Sequence, residues 1–323
     1  MDQFVSFAQN GEDVILWRAL GHVRDGRYID VGAAGPETES VTKAFCQRGW
    51  RGIDVEPLPE YARQLRADRP SNEVWQVVVS DKEVGEVTLH AFPDTGLSTI
   101  DDRIAAGHSR FEQVDVMVPV KTLDAICEES ALLDGDLHFL KIDAEGAEFD
   151  VLRSVTLSRW RPWVVVVEAT LPTSTIQSFG DWEPLLTTEG YTFTLFDGVN
   201  RYYVSPDHPE LRDALSYPAC ILDNFVTAEA RSTAAELQEA RAEMTRWRNL
   251  AITGFAESTS LAQREARRAR LLERKVNRLE RALEAGRARN KRLTANLANL
   301  NTHVEVRARR KLGRMTRRLR GRP

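Results

Sequence analysis

Short apolar runs alternate with helix-like stretches from Arg27 to about Ser205. Each run is rich in Val, Ile or Leu and is bounded by Gly, Pro or Asp. Continuous apolar runs are typical of strands that are buried on both faces of a parallel sheet. Strands alternating with helices predict a doubly wound α/β domain. The predicted strands are Tyr28–Val31, Gly52–Val55, Val74–Ser80, Leu137–Asp143 and Trp163–Ala169, and the predicted helices are Glu39–Arg48, Pro59–Asp68 and Glu148–Ser154.

Two segments depart from this alternation. Glu86–Phe92 and Val114–Val120 have the pattern of paired strands around a polar loop, Pro93–Arg110, which we expect above the sheet. Further along, Tyr191–Phe196 and Arg201–Val204 flank an Asp-Gly step, which is a strong hairpin signal. The pattern therefore predicts a parallel sheet that is finished by an antiparallel hairpin.

The composition changes after Phe225, where Pro is absent until Pro323 and Ala, Arg, Glu and Leu dominate. Apolar positions at alternating spacings of three and four predict a heptad seam over residues 269–304, and a shorter seam in another phase over residues 237–251. Asn290 occupies an a-type position, which favours a two-stranded parallel pair. We therefore expect a homo-oligomer formed through a coiled coil at residues 269–304, the alternative being a long helix packed on the body.

Charge divides the chain at the same place. Residues 1–226 hold 19 basic and 38 acidic side chains, whereas residues 227–323 hold 25 and 10. We expect three parts, namely an α/β domain over residues 1–225, a helical coiled-coil region over 226–306 and a basic tail over 307–323.

The basic tail favours contact with an anionic membrane surface or an acidic partner, and a tail without a specific role is the alternative. Nucleic acid is disfavoured because the tail has no aromatic side chains to stack on bases. The first residues lack a signal-peptide pattern, and no apolar run is long enough to span a bilayer. We expect a cytoplasmic protein, peripheral to the inner face of the membrane if the tail binds lipid.

A candidate cofactor loop follows the first strand of the predicted sheet. Asp30 precedes glycines at positions 32 and 35, and glycine lets a backbone approach a ligand closely. The second strand leads to Glu56, where a carboxylate can accept hydrogen bonds from both hydroxyls of a ribose. A structural turn explains the loop alone equally well. A carboxylate at Asp30 repels a pyrophosphate, however, and suits the ammonium and sulfonium of S-adenosylmethionine.

Two further strand ends carry polar residues. Ser80 and Asp81 follow the third predicted strand, where they would reach an adenine edge, a turn being the alternative. Asp143 and Glu145 follow the fourth strand. They could hold the methionine ammonium, orient a substrate hydroxyl or bind a divalent metal through oxygen, and an N-cap is the alternative for one of them. The sequence leaves metal dependence open.

These motifs occur in collinear order and together resemble the FkbM-type methyltransferase family over about residues 3–205. The resemblance implies a Rossmann-like class I methyltransferase fold, with a seven-stranded sheet ending in an antiparallel hairpin. It also implies O-methylation of a sugar hydroxyl in polysaccharide, glycan or natural-product biosynthesis. The motifs that carry it are Ser6–Asp13, Tyr28–Ala33, Gly49–Pro57, Leu97–Thr99 and Leu140–Glu148.

The resemblance also implies residue roles. Glu56 would bind the ribose, Asp81 would lie near the adenine and Asp143 at the mouth of the active site. Many relatives have Asn where this chain has Ala34, so the loop contact there would go through the backbone. The remaining implied contacts are the loop Asp30, Gly32, Ala33 and Gly35 on the methionine side, and Gln9 and Glu12 as an N-terminal cap.

Transfer to a hydroxyl is helped by a base or a metal. The candidates are Asp143, Glu145 and His108, of which we favour Asp143, and Glu168 at the end of the fifth strand is a further candidate. His108 lies in the polar insertion, and an exposed, idle histidine is its alternative interpretation. The competing hypothesis for the whole chain is a catalytically silent scaffold that assembles partners through its coiled coil. The complete set of cofactor residues argues against that hypothesis.

Overall fold

The computed structural model describes residues 3–82, 85–92, 98–107, 111–172, 174–254 and 263–292. These residues form two compact units, one up to Phe225 and one from Val226 onward. The strands of the described residues are β1 (Phe4–Ser6), β2 (Arg27–Val31), β3 (Arg51–Val55), β4 (Glu73–Trp75), β5 (Val78–Val79), β6 (Glu86–Ala91), β7 (Val114–Lys121), β8 (Phe139–Ile142), β9 (Val164–Glu168), β10 (Thr192–Phe196), β11 (Asn200–Val204) and β12 (Phe225–Thr227).

Helices of the first unit cover both faces of the main sheet, because Ile15 and Phe45 pack into one of its two buried clusters and Ile126 and Val151 pack into the other. In the first unit they are α1 (Glu12–Leu20), α2 (Lys43–Cys46), α3 (Pro59–Asp68), α4 (Asp102–Gly107), α5 (Leu123–Glu129), α6 (Glu148–Arg153), α7 (Leu157–Trp160) and α8 (Glu183–Thr188). In the second unit they are α9 (Ala228–Gly254) and α10 (263–292).

Seven strands form the main sheet, in the spatial order β10-β11-β9-β8-β2-β3-β4. Strand β11 pairs antiparallel with both of its neighbours, while the pairs from β9 to β4 are parallel. The predicted parallel sheet ending in an antiparallel hairpin is confirmed.

Strand β9 shows why a continuous apolar run forms the centre of this sheet. Its four valines are fully buried. Val165 and Val167 pack into one hydrophobic cluster, and Val164 and Val166 pack into a second cluster. Because successive side chains of a strand point to opposite faces, a run without polar alternation covers a sheet that is packed on both sides.

Two of the predicted elements are wrong in extent. Val74–Ser80 is not one strand, because β4 belongs to the main sheet while β5 pairs with β7 in a separate three-stranded sheet. The predicted helix Glu39–Arg48 is reduced to the four residues of α2, so the cofactor loop does not run directly into a helix. Polar side chains of the loop, such as Ser40 and Thr42, are instead buried in a hydrogen-bond network.

The predicted strand pair of the insertion is confirmed. Strands β6 and β7 pair antiparallel from Glu86↔Pro119 to Ala91↔Val114. The described part of the loop between them includes α4, which His90 links to the strand pair. The His90 ring lies 2.8 Å from both Asp102 of α4 and Asp115 of β7.

The second unit consists of two packed helices in its described part. Leu237 and Ala240 of α9 form a cluster with Val276, Leu279 and Leu283 of α10. The seam positions from Leu237 to Ala251 and from Ala269 to Leu283 are the less exposed positions of their helices, whereas Gly286 and Asn290 are exposed. The two described seams therefore meet within one chain. None of the described helices combines the length and the hydropathy needed to traverse a bilayer.

Candidate active site

A cavity of about 530 Å³ opens at the carboxyl ends of the parallel strands in the first unit. Strand β2 pairs with β3 on one side and with β8 on the other, so the order of strands reverses there. Ligands of open α/β sheets bind at this reversal point. The cavity therefore lies where the topology favours binding, and its volume suits a small molecule.

The sheet register aligns the residues at the edge of the cavity. Val167, Ile142, Val31 and Val55 form one rung across four neighbouring strands. The residues that follow them in sequence are Glu168, Asp143, Gly32 and Glu56, so three carboxyl groups and one glycine occupy the next row. All four line the cavity.

Gly32 is the point at which two strand ends approach most closely. It has a positive φ of 78°, and a Cβ atom built on it would lie 1.8 Å from the carbonyl oxygen of Asp143. Only glycine fits both the conformation and the space. The backbone N–H groups of Gly32 and Ala33 donate to the carbonyl of Val55, which fixes the loop against β3.

Asp30 is oriented by a buried polar network. Its Oδ2 accepts a hydrogen bond of 2.9 Å from Thr42, which in turn accepts one of 2.9 Å from Arg69. Arg69 forms a 2.7 Å ion pair with Asp54, and both side chains are fully buried. The other carboxylate oxygen of Asp30, Oδ1, is buried and has no hydrogen-bond partner among the described residues. Asp30 thus keeps one fixed acceptor at the cavity wall.

Glu56 closes the loop from the side of β3. Its two carboxylate oxygens accept hydrogen bonds of 2.8 Å from the backbone N–H groups of Ala34 and Leu58. Burial raises the pKa of Glu56 to about 7, although these two N–H groups act in the opposite direction. Each oxygen keeps a further lone pair, so the carboxylate can still accept from a ligand.

Lys141 is a buried cation that joins the two acidic strand ends. Its Nζ lies 3.4 Å from Asp30 Oδ1 and 3.3 Å from Asp143 Oδ2, and it donates to the Gly32 carbonyl at 3.2 Å. Burial alone would lower the pKa of Lys141, but Asp143 and Asp30 raise it above its ordinary value. The ammonium therefore holds the ends of β2 and β8 together.

Three carboxyl groups converge beyond Lys141, namely those of Asp143, Glu145 and Glu168. Burial, and then the charge of Asp143, raise the pKa of Glu145 to about 8 and that of Glu168 to about 11. Neither Asp143 nor Glu145 caps helix α6, whose N-cap residue Ala147 forms no side-chain cap. The loop before the helix is instead held by Glu148, which accepts hydrogen bonds from the N–H groups of Ala144 and Gly146. Asp143 and Glu145 are therefore free of that structural task.

Gln9 and Glu12 line the cavity on its N-terminal side. Glu12 accepts hydrogen bonds from the backbone of Asn10 at 2.8 Å and from the side chain of Asn200 at 2.9 Å. Burial and the nearby charge of Asp197 raise its pKa to about 8. Gln9 Nε2 donates to Glu39 at 3.3 Å. This wall joins the start of the unit to the hairpin β10-β11.

Three predicted contact residues lie away from the cavity lining. Ser80 is buried, and its hydroxyl oxygen accepts a hydrogen bond from the backbone N–H of Lys82. Asp81 forms a 2.9 Å ion pair with Arg153. Gly35 does not line the cavity, and a Cβ atom built on it would lie 3.8 Å from the ring of Tyr61. The residues of this region that do line it are Val77, Val78 and Val79, since β5 leaves the main sheet. His108 falls outside the described residues.

Sequence reasoning gave no role to Lys141, Asn200 and Thr99, which all line the cavity. Lys141 is the cross-strand neighbour of Asp30, a relation that only the register reveals. Asn200 follows the predicted Asp-Gly turn, and nothing in that pattern indicates its contact with Glu12. Thr99 donates to the Glu145 carbonyl at 2.9 Å, and its presence in one of the collinear motifs was the available signal.

A Rossmann-like sheet finished by an antiparallel hairpin, with an acidic cavity at its reversal point, defines the class of S-adenosylmethionine-dependent methyltransferases. The profile of the methyltransferase FkbM domain matches residues 30–193, just over half of the chain. The chain belongs to this family and is an S-adenosylmethionine-dependent methyltransferase.

Among solved structures, the chain is similar to a TehB-like SAM-dependent methyltransferase from Corynebacterium glutamicum. The two share 11% sequence identity with a TM-score of 0.33, and the match covers 60% of this chain and 87% of the other. No curated protein sequence matches the chain.

Proposed function

We propose that the protein methylates a hydroxyl group of a sugar, in a glycan, a polysaccharide or a natural product. The observation that carries this proposal is the position of Asp143, which lies in one row with Gly32 and Glu56 and keeps a partly exposed carboxylate. A base placed next to the cofactor loop suits an acceptor that must lose a proton.

The described lining also favours an acceptor with several hydroxyl groups. Ser98 and Thr99 of the insertion, and Thr170, Ser174 and Thr175 after β9, contribute hydroxyl side chains to the cavity. Such groups both donate and accept hydrogen bonds, so they match a sugar better than an apolar acceptor.

The residues that would hold S-adenosylmethionine fit its charges. Asp30 offers the ammonium a buried carboxylate oxygen that accepts no hydrogen bond and lies 3.4 Å from Lys141, and Glu56 offers acceptors to the ribose. Gly32, Ala33, Gln9 and Glu12 would complete the wall. When bound, the cofactor supplies a methyl group on a positively charged sulfur, and a net acidic cavity favours that charge.

The chain's own contribution to the reaction is positioning and proton removal. The new bond from the acceptor oxygen to the methyl group would replace the bond from that group to sulfur, which would keep the electron pair, and the cavity residues would hold the two reactants in line for this exchange. Asp143 takes the hydroxyl proton, and Lys141, 3.3 Å from its carboxylate, holds that group in place. Holding the two reactants in line supplies up to about 7–11 kcal/mol.

Methyl transfer from isotopically labelled cofactor to a panel of sugar nucleotides and glycans tests this proposal. Label should appear on a hydroxyl oxygen, and Asp143→Asn should slow transfer by about 100-fold or more, because the base is lost. Asp136→Asn is the matched control, since Asp136 is exposed before the opposite end of β8. Label on nitrogen or carbon acceptors alone, or an unchanged rate for Asp143→Asn, contradicts the proposal.

Self-association through residues 269–304 is a second proposal. It is supported by the seam in the sequence, although Val276, Leu279 and Leu283 are already covered by α9 of the same chain. A partner helix would therefore use the part of the segment after Leu283. We also propose a cytoplasmic location, with the tail 307–323 contacting an anionic membrane surface or an acidic partner.

A further inference from the structure

The carboxyl groups of Asp143, Glu145 and Glu168 meet at the ends of two neighbouring strands. Ile142 of β8 and Val167 of β9 are register partners, which places Asp143 beside Glu168, and Glu145 turns back toward them. One oxygen from each group lies within 4.8 Å of one oxygen from each of the others. Oxygens that share one divalent cation at about 2.0–2.6 Å lie about 3–5 Å apart, so the spacing fits a common ion.

The environment of Glu168 points to a ligand independently of this spacing. The residue is only 9% exposed and lines the cavity. Its Oε2 is buried and has no hydrogen-bond partner in the part of the chain that the structure describes. Glu145 Oε2 is in the same condition. A buried carboxylate oxygen without a hydrogen-bond partner raises the free energy of the folded protein. A cation bound to both oxygens would remove that cost.

No Lys or Arg side chain among the described residues pairs with these two glutamate oxygens. Lys141 Nζ contacts Asp143 at 3.3 Å, but it is also bound to Asp30 and to the Gly32 carbonyl, and no contact joins it to Glu145 or Glu168 among the described residues. A divalent cation within reach of all three carboxyl groups would supply the positive charge that these oxygens lack.

The donor set indicates which ion fits. All three donors are carboxylate oxygens, which hard cations prefer, and soft ligands such as thiolates are absent from the described lining. Three protein ligands leave positions for water and for a substrate oxygen. We propose that Asp143, Glu145 and Glu168 bind one divalent cation, Mg²⁺ or Mn²⁺, that takes the acceptor hydroxyl as a further ligand.

This inference rests on the proposed function. It adds that the cation orients the acceptor and makes its hydroxyl group more acidic. A bound cation lowers the pKa of a coordinated hydroxyl. The proton passes to the Asp143 oxygen that does not bind the ion, the oxygen–methyl bond forms, and the sulfur keeps the electron pair of the broken bond. The cation changes neither its oxidation state nor the balance of the transfer.

Mn²⁺ binding to the full chain tests the site without relying on catalysis. After treatment with EDTA and its removal, Mn²⁺ is titrated in, and free ion is followed by electron paramagnetic resonance. We expect one bound Mn²⁺ per chain, competed by Mg²⁺. Glu168→Gln and Glu145→Gln should each weaken binding at least tenfold, since each removes one ligand and one charge. Glu86→Gln, an exposed change at the start of β6, should leave binding unchanged.

Circular dichroism establishes that each variant is folded, and the wild-type titration alone can decide the question. A wild type that leaves all Mn²⁺ free overturns the proposal, as does equal binding by folded wild type and the Glu145→Gln/Glu168→Gln double variant. Calorimetry with S-adenosylmethionine on the same samples separates the two hypotheses. If the cofactor binds and Mn²⁺ does not, the metal-site proposal is wrong, and the methyltransferase assignment is unaffected.

Discussion

At the scale of single residues, the site consists of buried carboxyl groups that are each held in place by hydrogen bonds from the protein. One carboxylate oxygen of Asp30 accepts a hydrogen bond from Thr42, and Asp30 lines the cavity. The two carboxylate oxygens of Glu56 each accept a hydrogen bond from a backbone N–H group. The sequence predicted Asp30, Glu56 and Asp143, because a polar residue at the end of an apolar run must lie at the sheet edge. It could not predict Lys141, whose role depends on a neighbour more than 100 positions away.

Gly32→Ala should be far more destabilising than Gly49→Ala. Both glycines have a positive φ, but a Cβ at position 49 meets nothing within 4 Å, whereas one at position 32 meets the Asp143 carbonyl. Gly49→Ala should cost about 1 kcal/mol through backbone strain, and Gly32→Ala about 2 kcal/mol or more beyond that. Urea denaturation measures both values, and equal costs would show that the two strand ends are not in close contact.

Cofactor affinity should fall as the pH falls through the pKa of Glu56. Burial raises that pKa to about 7, and only the ionised carboxylate accepts from both ribose hydroxyls. The Kd for S-adenosylmethionine should rise about tenfold from pH 8 to pH 6, because protonation competes with binding. Glu56→Gln should flatten this dependence in calorimetric titrations. The same pH profile in wild type and variant would remove Glu56 from the ribose site.

At the scale of elements, short polar segments position the loop where a longer helix was expected. Helix α2 has only four residues, and the preceding loop is held by Arg69 at the end of α3, which reaches Thr42, Asp54 and Ser40. The amphipathic pattern of residues 39–48 could not reveal this, since the partner of the loop lies in another element. The split between β4 and β5 was hidden in the same way, because Val74–Ser80 is apolar apart from Gln76 and Ser80.

Arg69→Met should unfold the protein much more readily than Arg63→Met. Both arginines belong to the α3 region, but Arg69 pairs with Asp54 in full burial, while Arg63 forms an exposed pair with Glu60. Removing one partner of a buried pair costs about 3–5 kcal/mol, and an exposed pair contributes about 1 kcal/mol or less. Thermal and urea unfolding of both variants measure the difference. A similar loss for both would contradict the structural role of the network.

At the scale of the whole molecule, the composition predicted an acidic α/β domain followed by a basic helical region. The heptad pattern predicted two seams in that helical region. The two seams are buried in part, at Leu237, Ala240 and Val276, while Gly286 and Asn290 are exposed. Their pairing with each other within one chain was not predicted, because a heptad pattern identifies the apolar face of a helix but not its partner.

Light scattering on the full chain tests the proposed homo-oligomer. A mass twice that of one chain is expected if the segment after Leu283 joins a second copy. Substituting Arg for the exposed Leu271, which lies before the covered part of the seam, should leave that mass unchanged. A monomeric mass at all concentrations would mean that the seam serves the helix pair of its own chain.

Calorimetric titration of S-adenosylmethionine into the full chain tests the central claim most directly. One cofactor should bind per chain, and Asp30→Asn and Glu56→Gln should each raise the Kd at least tenfold. Glu60→Gln, an exposed change on α3, should have no effect. Absence of binding by folded wild type, or equal affinity in all four proteins, would contradict a cofactor site at the ends of β2 and β3 and would favour a silent scaffold.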